Sequence, residues 1–236
     1  MVRVKSGLRL AKSHLNVTEE SINTSTIGNA KETLLRRKPS QDRSKDRLEK
    51  ILKAAEVCIL HYGAANLKIS DIANEAGMAN SSIYQYFKSR EQIIQALLER
   101  YLALFNRTNL KLLEEVSNED EFLTYLENLA YDYQDYLKSN LAYQAIWMGS
   151  QGWNELREID QQDNIRIARA WVNKLNTIRP DLDPERTFTT CLICIESGGH
   201  ITRIAVTLGG KAERIMVEEM MKMIKEHLKL FLTNPS

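Results

Sequence analysis

Residues 69–90, ISDIANEAGMANSSIYQYFKSR from Ile69 to Arg90, carry the pattern that decides the fold. Ile69, Ile72, Ala73 and Ala76 recur at spacings of three and four, which marks one apolar face of a helix. Gly77 follows directly, and glycine ends a helix at least cost because it enters the left-handed region without a Cβ clash. Met78 then packs back after the turn. A second short helix is predicted from Asn80 to Phe87, with Ile83 and Phe87 facing inward. Its other face carries Ser81, Tyr84, Gln85 and Lys88. Small, amide, phenolic and cationic groups on one exposed face suit a surface that meets base edges and phosphates.

Upstream, Leu48, Leu52, Ala55 and Ile59 give the inward stripe of a first helix, predicted over Ser44 to Tyr62 with Ser44 as its cap and Gly63 beyond its end. Downstream, Ile93, Ile94, Leu97, Leu98, Tyr101, Leu102 and Phe105 continue an apolar stripe past Arg90. The pattern stays helical to the C-terminus. Helices are predicted near 118–138, 141–148, 154–178, 184–208 and 211–232, with Asp183 as cap and Pro184 at the first helical position of the fourth. The fold class is therefore all-α.

The residues around the central hairpin resemble the TetR family of transcriptional regulators. The likeness rests on Asp71-Ile72-Ala73, Ala76-Gly77, Ile83-Tyr84, Tyr86-Phe87 and Ser89-Arg90-Glu91, and reaches back through Ile51-Leu52, Ala54-Ala55 and Gly63. It covers roughly Arg43 to Leu102 closely. The resemblance implies a helix-turn-helix DNA-binding domain over 43–90 and a helical ligand-binding and dimerisation domain over 91–236; the arm before them, residues 1–42, departs from the family, whose members often begin closer to the first helix. It implies base contacts from Asn80, Ser81 and Gln85, and phosphate contacts from Ser82, Tyr84, Tyr86, Lys88 and Arg90. Two residues depart from the family pattern. Lys68 stands where a capping Thr is usual; it meets phosphate as a cation, and the cap passes to Ser70 in a helix that starts later. Ala79 stands where Ser is common, which passes that cap to Asn80.

The resemblance also implies a pocket in the second domain. The aromatic residues concentrated there supply the candidates for its lining: Tyr101, Phe105, Tyr125, Tyr133, Tyr136, Trp147 and Trp171. Apolar walls with a few polar tips suit an apolar or aromatic small molecule. The last two helices are expected to pair with their copies in a homodimer that offers two recognition helices to a palindromic double-stranded operator. Ser197-Gly198-Gly199 lies within one of them, and close approach of another helix is the expected reason for those glycines.

Composition agrees with this division. The chain has 236 residues, 43% of them hydrophobic, and a net charge of only +1. Residues 1–100 hold 17 Lys/Arg against 11 Asp/Glu, whereas the remainder holds 15 against 20. A basic first part beside an acidic second part fits a nucleic-acid module joined to one that does not bind it. The arm is polar and expected to be mostly disordered, with a short helix after Thr18 and a basic cluster, Arg36-Arg37-Lys38, that adds non-specific affinity for DNA.

Three cysteines are too few for a disulfide framework. Cys191 and Cys194 form a C-x-x-C inside a predicted helix and are read as core thiols. No apolar run suggests a membrane span and no secretory signal is seen, so a cytoplasmic location is expected. No phosphate-binding glycine loop, G-x-S-x-G or HExxH is present, so no cofactor, no metal and no catalytic residue is expected. The reading is a ligand-released repressor. An activator or a ligand-independent regulator of the same fold stays open, and an enzyme acting on a small apolar molecule is the competing class.

Overall fold

The structure is a computed structural model that describes residues 38–149 and 153–233, with side chains from residue 43 onward. Apart from the first turn of α1, the described fold belongs to the unit Asp42–Ser236. The expected helix after Thr18 and the Arg36-Arg37-Lys38 cluster lie outside the described residues.

No strand occurs among the described residues. The first helix, α1, spans Lys38–Tyr62 and is followed by a short 3-10 turn, Ala64–Asn66. The helix starts six residues before the predicted Ser44, which lies inside it. Pro39 does not prevent this, because first-turn N–H groups have no intrahelical partner to lose. The hairpin follows as α2, Ile69–Ala76, and α3, Asn80–Tyr84. Gly77 closes α2 in the left-handed region at φ 57°. The second hairpin helix is shorter than predicted, ending at Tyr84 rather than Phe87. The backbone tightens there: the Tyr86 and Phe87 N–H groups both donate to the Ile83 carbonyl, at 2.9 and 3.0 Å, and Phe87 still turns inward.

Next come α4, Arg90–Glu115; α5, Glu119–Ser139; α6, Leu141–Gly149; α7, Asn154–Ile178; α8, Pro184–Leu208; and α9, Gly210–Thr233. The starts of α4, α5 and α8 are set by side-chain caps. Ser89 Oγ accepts from the Gln92 N–H, Asn118 Oδ1 from the Glu121 N–H at 2.9 Å, and Asp183 Oδ1 from the Arg186 N–H at 2.7 Å. Glu121 reaches back to the Ser117 N–H at 2.9 Å, a reciprocal bond that fixes the entry to α5.

Two cores result. The first joins α1, α2 and α3 through Ile51, Ala55, Ile59, Ile72 and Ile83 to the first half of α4 and to Leu137, Tyr143 and Ile146. The second is built from the end of α4 and from α5, α7, α8 and α9, around Phe122, Trp171, Cys191, Met220 and Leu228. Helix α4 has 26 residues, about 39 Å at 1.5 Å per residue, and passes from one core to the other.

One expectation is corrected. The expectation of no membrane-length run does not hold for α8, which is apolar and long enough by composition, with mean hydropathy 1.2 over 18 residues. Yet α5, α7 and α9 pack against it, and it carries the buried Arg203. At Ser197-Gly198-Gly199 another helix does come close, and within the chain it is α9. A Cβ on Gly199 would meet Arg203 Nη2 at 3.1 Å, and one on Gly198 would meet Ile224 Cδ1 of α9 at 3.5 Å.

Candidate nucleic-acid interface and ligand cavity

The hairpin buries Ile72, Ala73, Ala76 and Ile83 and turns its polar residues outward. Lys68, Asn80, Ser81, Tyr84, Gln85 and Lys88 are exposed, whereas Ser82, Tyr86 and Arg90 are half-buried. Tyr84 shows 55% of its surface, a large share for an aromatic ring that packing could have used. Tyr86 instead packs against the first core.

Both expected reassignments of caps are corrected. Helix α2 begins at Ile69 with Lys68 as its N-cap, extended and without a side-chain cap bond, so Ser70 sits inside the helix. Helix α3 begins at Asn80 with Ala79 as its uncapped N-cap. Asn80 is therefore the first helical residue, and its side chain is not spent on a cap.

Arg90 has a different position from the one expected of a phosphate contact. Its Nη1 donates to the carbonyls of Ala65 at 2.9 Å and Leu67 at 3.2 Å, and its Nε pairs with Glu91 at 2.8 Å. The guanidinium also lies 5.7 Å from the centre of the Trp153 ring. These bonds hold the start of α4 to the segment that leads into α2. The adjacent contact is equally close: a Cβ on Gly149, at the end of α6, would meet Ala64 Cβ at 3.1 Å.

Within the second core lies a cavity of about 110 Å³. Four of the seven predicted aromatic residues line it: Phe105, Tyr125, Tyr133 and Trp171. The other three do not. Tyr101 belongs to the first core, where its hydroxyl donates to Glu56 Oε1 at 2.8 Å; burial and that carboxylate push its pKa well up. Tyr136 donates to the Tyr101 carbonyl at 2.9 Å, and Trp147 stacks edge-on to His200. Spacing along the helices showed which rings face inward, but not which of two cores they enter.

The cavity's polar groups were missed. On α7, Asp160, Asp163 and Asn164 reach it; on α4, Asn106 and Asn109; on α8, Arg203. A signal was present: Asp160 and Asn164 are in helical phase with Ala168 and Trp171, polar residues on an otherwise apolar stripe. Arg203 is nearly fully buried. Its Nη1 reaches both Asp160 carboxylate oxygens at 3.0 Å, its Nε donates to the Gly199 carbonyl at 3.2 Å, and its guanidinium lies 4.8 Å from the Trp147 ring centre. Asp163 accepts from Asn106 Nδ2 at 2.6 Å and from Arg166 at 2.6 Å. A surface groove between α4 and α7 shares Leu102, Asn106, Leu110 and Asp163 with the cavity, so the Asn106–Asp163 bond lies between the cavity and solvent.

Burial sets the phenols and thiols in and beside the cavity. It pushes Tyr125 up to about 12, with the Trp171 indole N–H acting in the opposite sense, and raises Tyr133 and Tyr143, whose hydroxyls lie 3.2 Å apart. Cys191 and Cys194 are free and buried, and burial raises their thiols to about 12 and about 11. Such thiols are poor nucleophiles and poor metal ligands.

Residues 51–97 match the family model described as bacterial regulatory proteins, tetR family. The chain is 25% identical over 141 residues to the HTH-type transcriptional regulator BetI of Agrobacterium fabrum, covering 59% of this chain and 68% of that one. It is 27% identical over 160 residues to the HTH-type transcriptional repressor KstR2 of Mycolicibacterium smegmatis, covering 64% and 75%. In fold it is similar to the transcriptional regulator FadR from Bacillus subtilis in complex with stearoyl-CoA. That likeness has a TM-score of 0.53 at 19% identity and covers 75% of this chain and 96% of that one. The matched model lies on the hairpin and its supporting helices, so residues 51–97 carry a helix-turn-helix of the tetR type, and the relatives that the chain resembles are helix-turn-helix transcriptional regulators.

Proposed function

We propose that the chain is a homodimeric repressor that leaves a palindromic operator when a small molecule enters the cavity of its second core. Residues 43–90 form the DNA-reading head and residues 91–236 the ligand-binding and dimerisation part, with residues 1–42 as a basic arm. The observation that carries the reading is the outward face of the hairpin. Asn80, Ser81 and Gln85 stand exposed on or beside α3, next to Lys68, Tyr84 and Lys88. Gln and Asn pair bidentately with adenine, and the cations and hydroxyls hold phosphates. Ser82 and Tyr86 supply further backbone contacts. We assign Arg90 to positioning, since its guanidinium is engaged within the protein.

A repressor named among the relatives supports the direction of control, and a neighbour's complex with stearoyl-CoA supports an apolar effector. Dimerisation is supported by the outer faces of α8 and α9, where Ile193, Leu208, Ile215, Met223 and Leu230 are exposed on helices otherwise well packed. A two-fold pairing there buries them and sets two heads on one side. The effector must bind the released form more tightly than the DNA-bound form, by about 1–3 kcal/mol or more. We read the protein as non-enzymatic and cytoplasmic, without cofactor.

The test is selection of random duplexes by the purified chain at about physiological salt, where non-specific binding is weak. An enriched palindrome is expected, retained by a dimer in sedimentation. Retention of duplexes without any sequence preference overturns the reading.

A further inference from the structure

Two donors in the cavity have no acceptor. Asn164 is 8% exposed and Trp171 4% exposed, and both line the cavity. Asn164 Nδ2 has no hydrogen-bond partner, and Trp171 Nε1 reaches no acceptor at hydrogen-bond geometry, although its N–H lies close enough to the Tyr125 hydroxyl to lower that phenol's pKa. Buried polar groups are nearly always satisfied, and an unmet donor carries its full desolvation cost. The indole N–H can only donate, so its complement is an acceptor. The two residues are seven apart on α7, which places them on one face with Cα atoms about 10 Å apart.

The charged groups of the same cavity narrow the choice. Its one cation, Arg203, is committed to Asp160 and the Gly199 carbonyl, and Asp163 is committed to Asn106 and Arg166. One arginine against two aspartates leaves no free cation for an acid, and burying an unpaired carboxylate is costly. Each Asp160 and Asp163 oxygen already accepts one hydrogen bond, and an ammonium, which has no acceptor, would leave both donors unmet. The rest of the lining is mainly apolar, with Asn109, Thr202 and the hydroxyls of Tyr125, Tyr133 and Tyr143 as its further polar groups. At about 110 Å³ the space is of the same order as the ~150 Å³ apolar hole known to hold benzene, which suits a single ring or a short chain.

We propose that this cavity takes an uncharged, mainly apolar molecule whose carbonyl-type oxygen accepts from Asn164 or Trp171. The proposal rests on the cavity being the effector site and specifies the chemistry of its occupant.

The test is a thermal-shift titration of the full chain with four probes that share one ring: acetophenone, ethylbenzene, benzoate and 1-phenylethylamine. Acetophenone is expected to bind roughly two- to twelvefold more tightly than ethylbenzene, the worth of one net hydrogen bond, and the two ions more weakly than either. Asn164→Leu and Trp171→Phe are measured alongside. Each alone is expected to shrink the ketone's advantage, and together they bring it to about one. Either variant suffices if the other fails to fold. Equal or tighter binding of ethylbenzene overturns the proposal while leaving the cavity a ligand site. Tightest binding by benzoate or the amine does the same, as does a ketone preference that survives both substitutions. Binding of none of the four overturns the proposal and counts against the effector site as well.

Discussion

The two cores solve opposite problems. The first is filled: Ile51, Ala55, Ile59, Leu67, Ile72 and Ile83 keep 1% of their surface or less, and no unpartnered buried side-chain polar atom occurs among its described residues. Its polar groups stand on the outside, where a long charged partner can meet them. The second core is similarly apolar but incomplete. It holds a cavity, a buried ion pair and, at Asn164, Trp171 and Asn176, unpartnered buried polar atoms. A head that must present a fixed face to DNA gains from close packing, whereas a core that must admit a molecule keeps part of its interior unsatisfied until it arrives.

The largest expected effect comes from breaking the ion pair that shapes the second core. Arg203→Met leaves Asp160 without its partner, and breaking a buried pair costs about 3–5 kcal/mol. Asp160 keeps 20% of its side chain in water, so the loss should fall near the lower end, about 3 kcal/mol in urea unfolding. A loss well under ~1 kcal/mol would mean that the pair is no more than a surface contact.

The sharpest contrast is one change made in both cores. Ala55→Leu, at a position with 0% exposure, overpacks the first core and should cost about 1–3 kcal/mol, with operator binding lost in step. Ala130→Leu points into the cavity and should cost less than about 1 kcal/mol while abolishing probe binding there. Equal penalties would remove the distinction between a filled core and an open one.

Above pH 9 a separate, pH-dependent effect comes from the two thiols of the second core. Burial raises Cys191 to about 12 and Cys194 to about 11 from 9.0. Below pH 9 both states hold these protons and the contribution is intact. As pH rises beyond it the unfolded chain releases them first, so stability falls, by at most about 1.4 kcal/mol per pH unit for each thiol. Replacing both cysteines with alanine should flatten the alkaline limb of the stability profile between about pH 9 and 11. An unchanged limb would mean that the thiols are solvated. The smallest expected change is Lys68→Thr, which supplies the missing cap of α2 and should add about 0.5–1 kcal/mol, read as a raised Tm.

The hairpin was legible because its signals are local. Apolar spacing, the left-handed Gly77 and, further along the chain, the Asp183 cap before Pro184 each act within one or two turns, and the predicted helices 154–178 and 184–208 match α7 and α8. The misplaced ends have local causes too: Lys38 starts α1 because Pro39 is tolerated in a first turn, and α3 stops at Tyr84 where the turn tightens on the Ile83 carbonyl. The cavity was less legible because it depends on which helices meet. Tyr101 and Phe105 are one turn apart on α4, yet Tyr101 turns to Glu56 of α1 while Phe105 turns to the cavity. The engagement of Arg90 with Ala65 and Leu67, about 25 residues away in sequence, has no local signal at all.

The most direct measurement of the account compares duplexes selected by the wild-type chain and by Gln85→Ala, position by position. Gln85 is exposed beside α3 and carries the side chain best suited to read a base edge. The account predicts that both proteins select the same palindrome, with the variant losing preference at one base pair in each half-site, worth about 1–3 kcal/mol. An identical preference at every position would contradict it and move sequence readout away from this face of the hairpin.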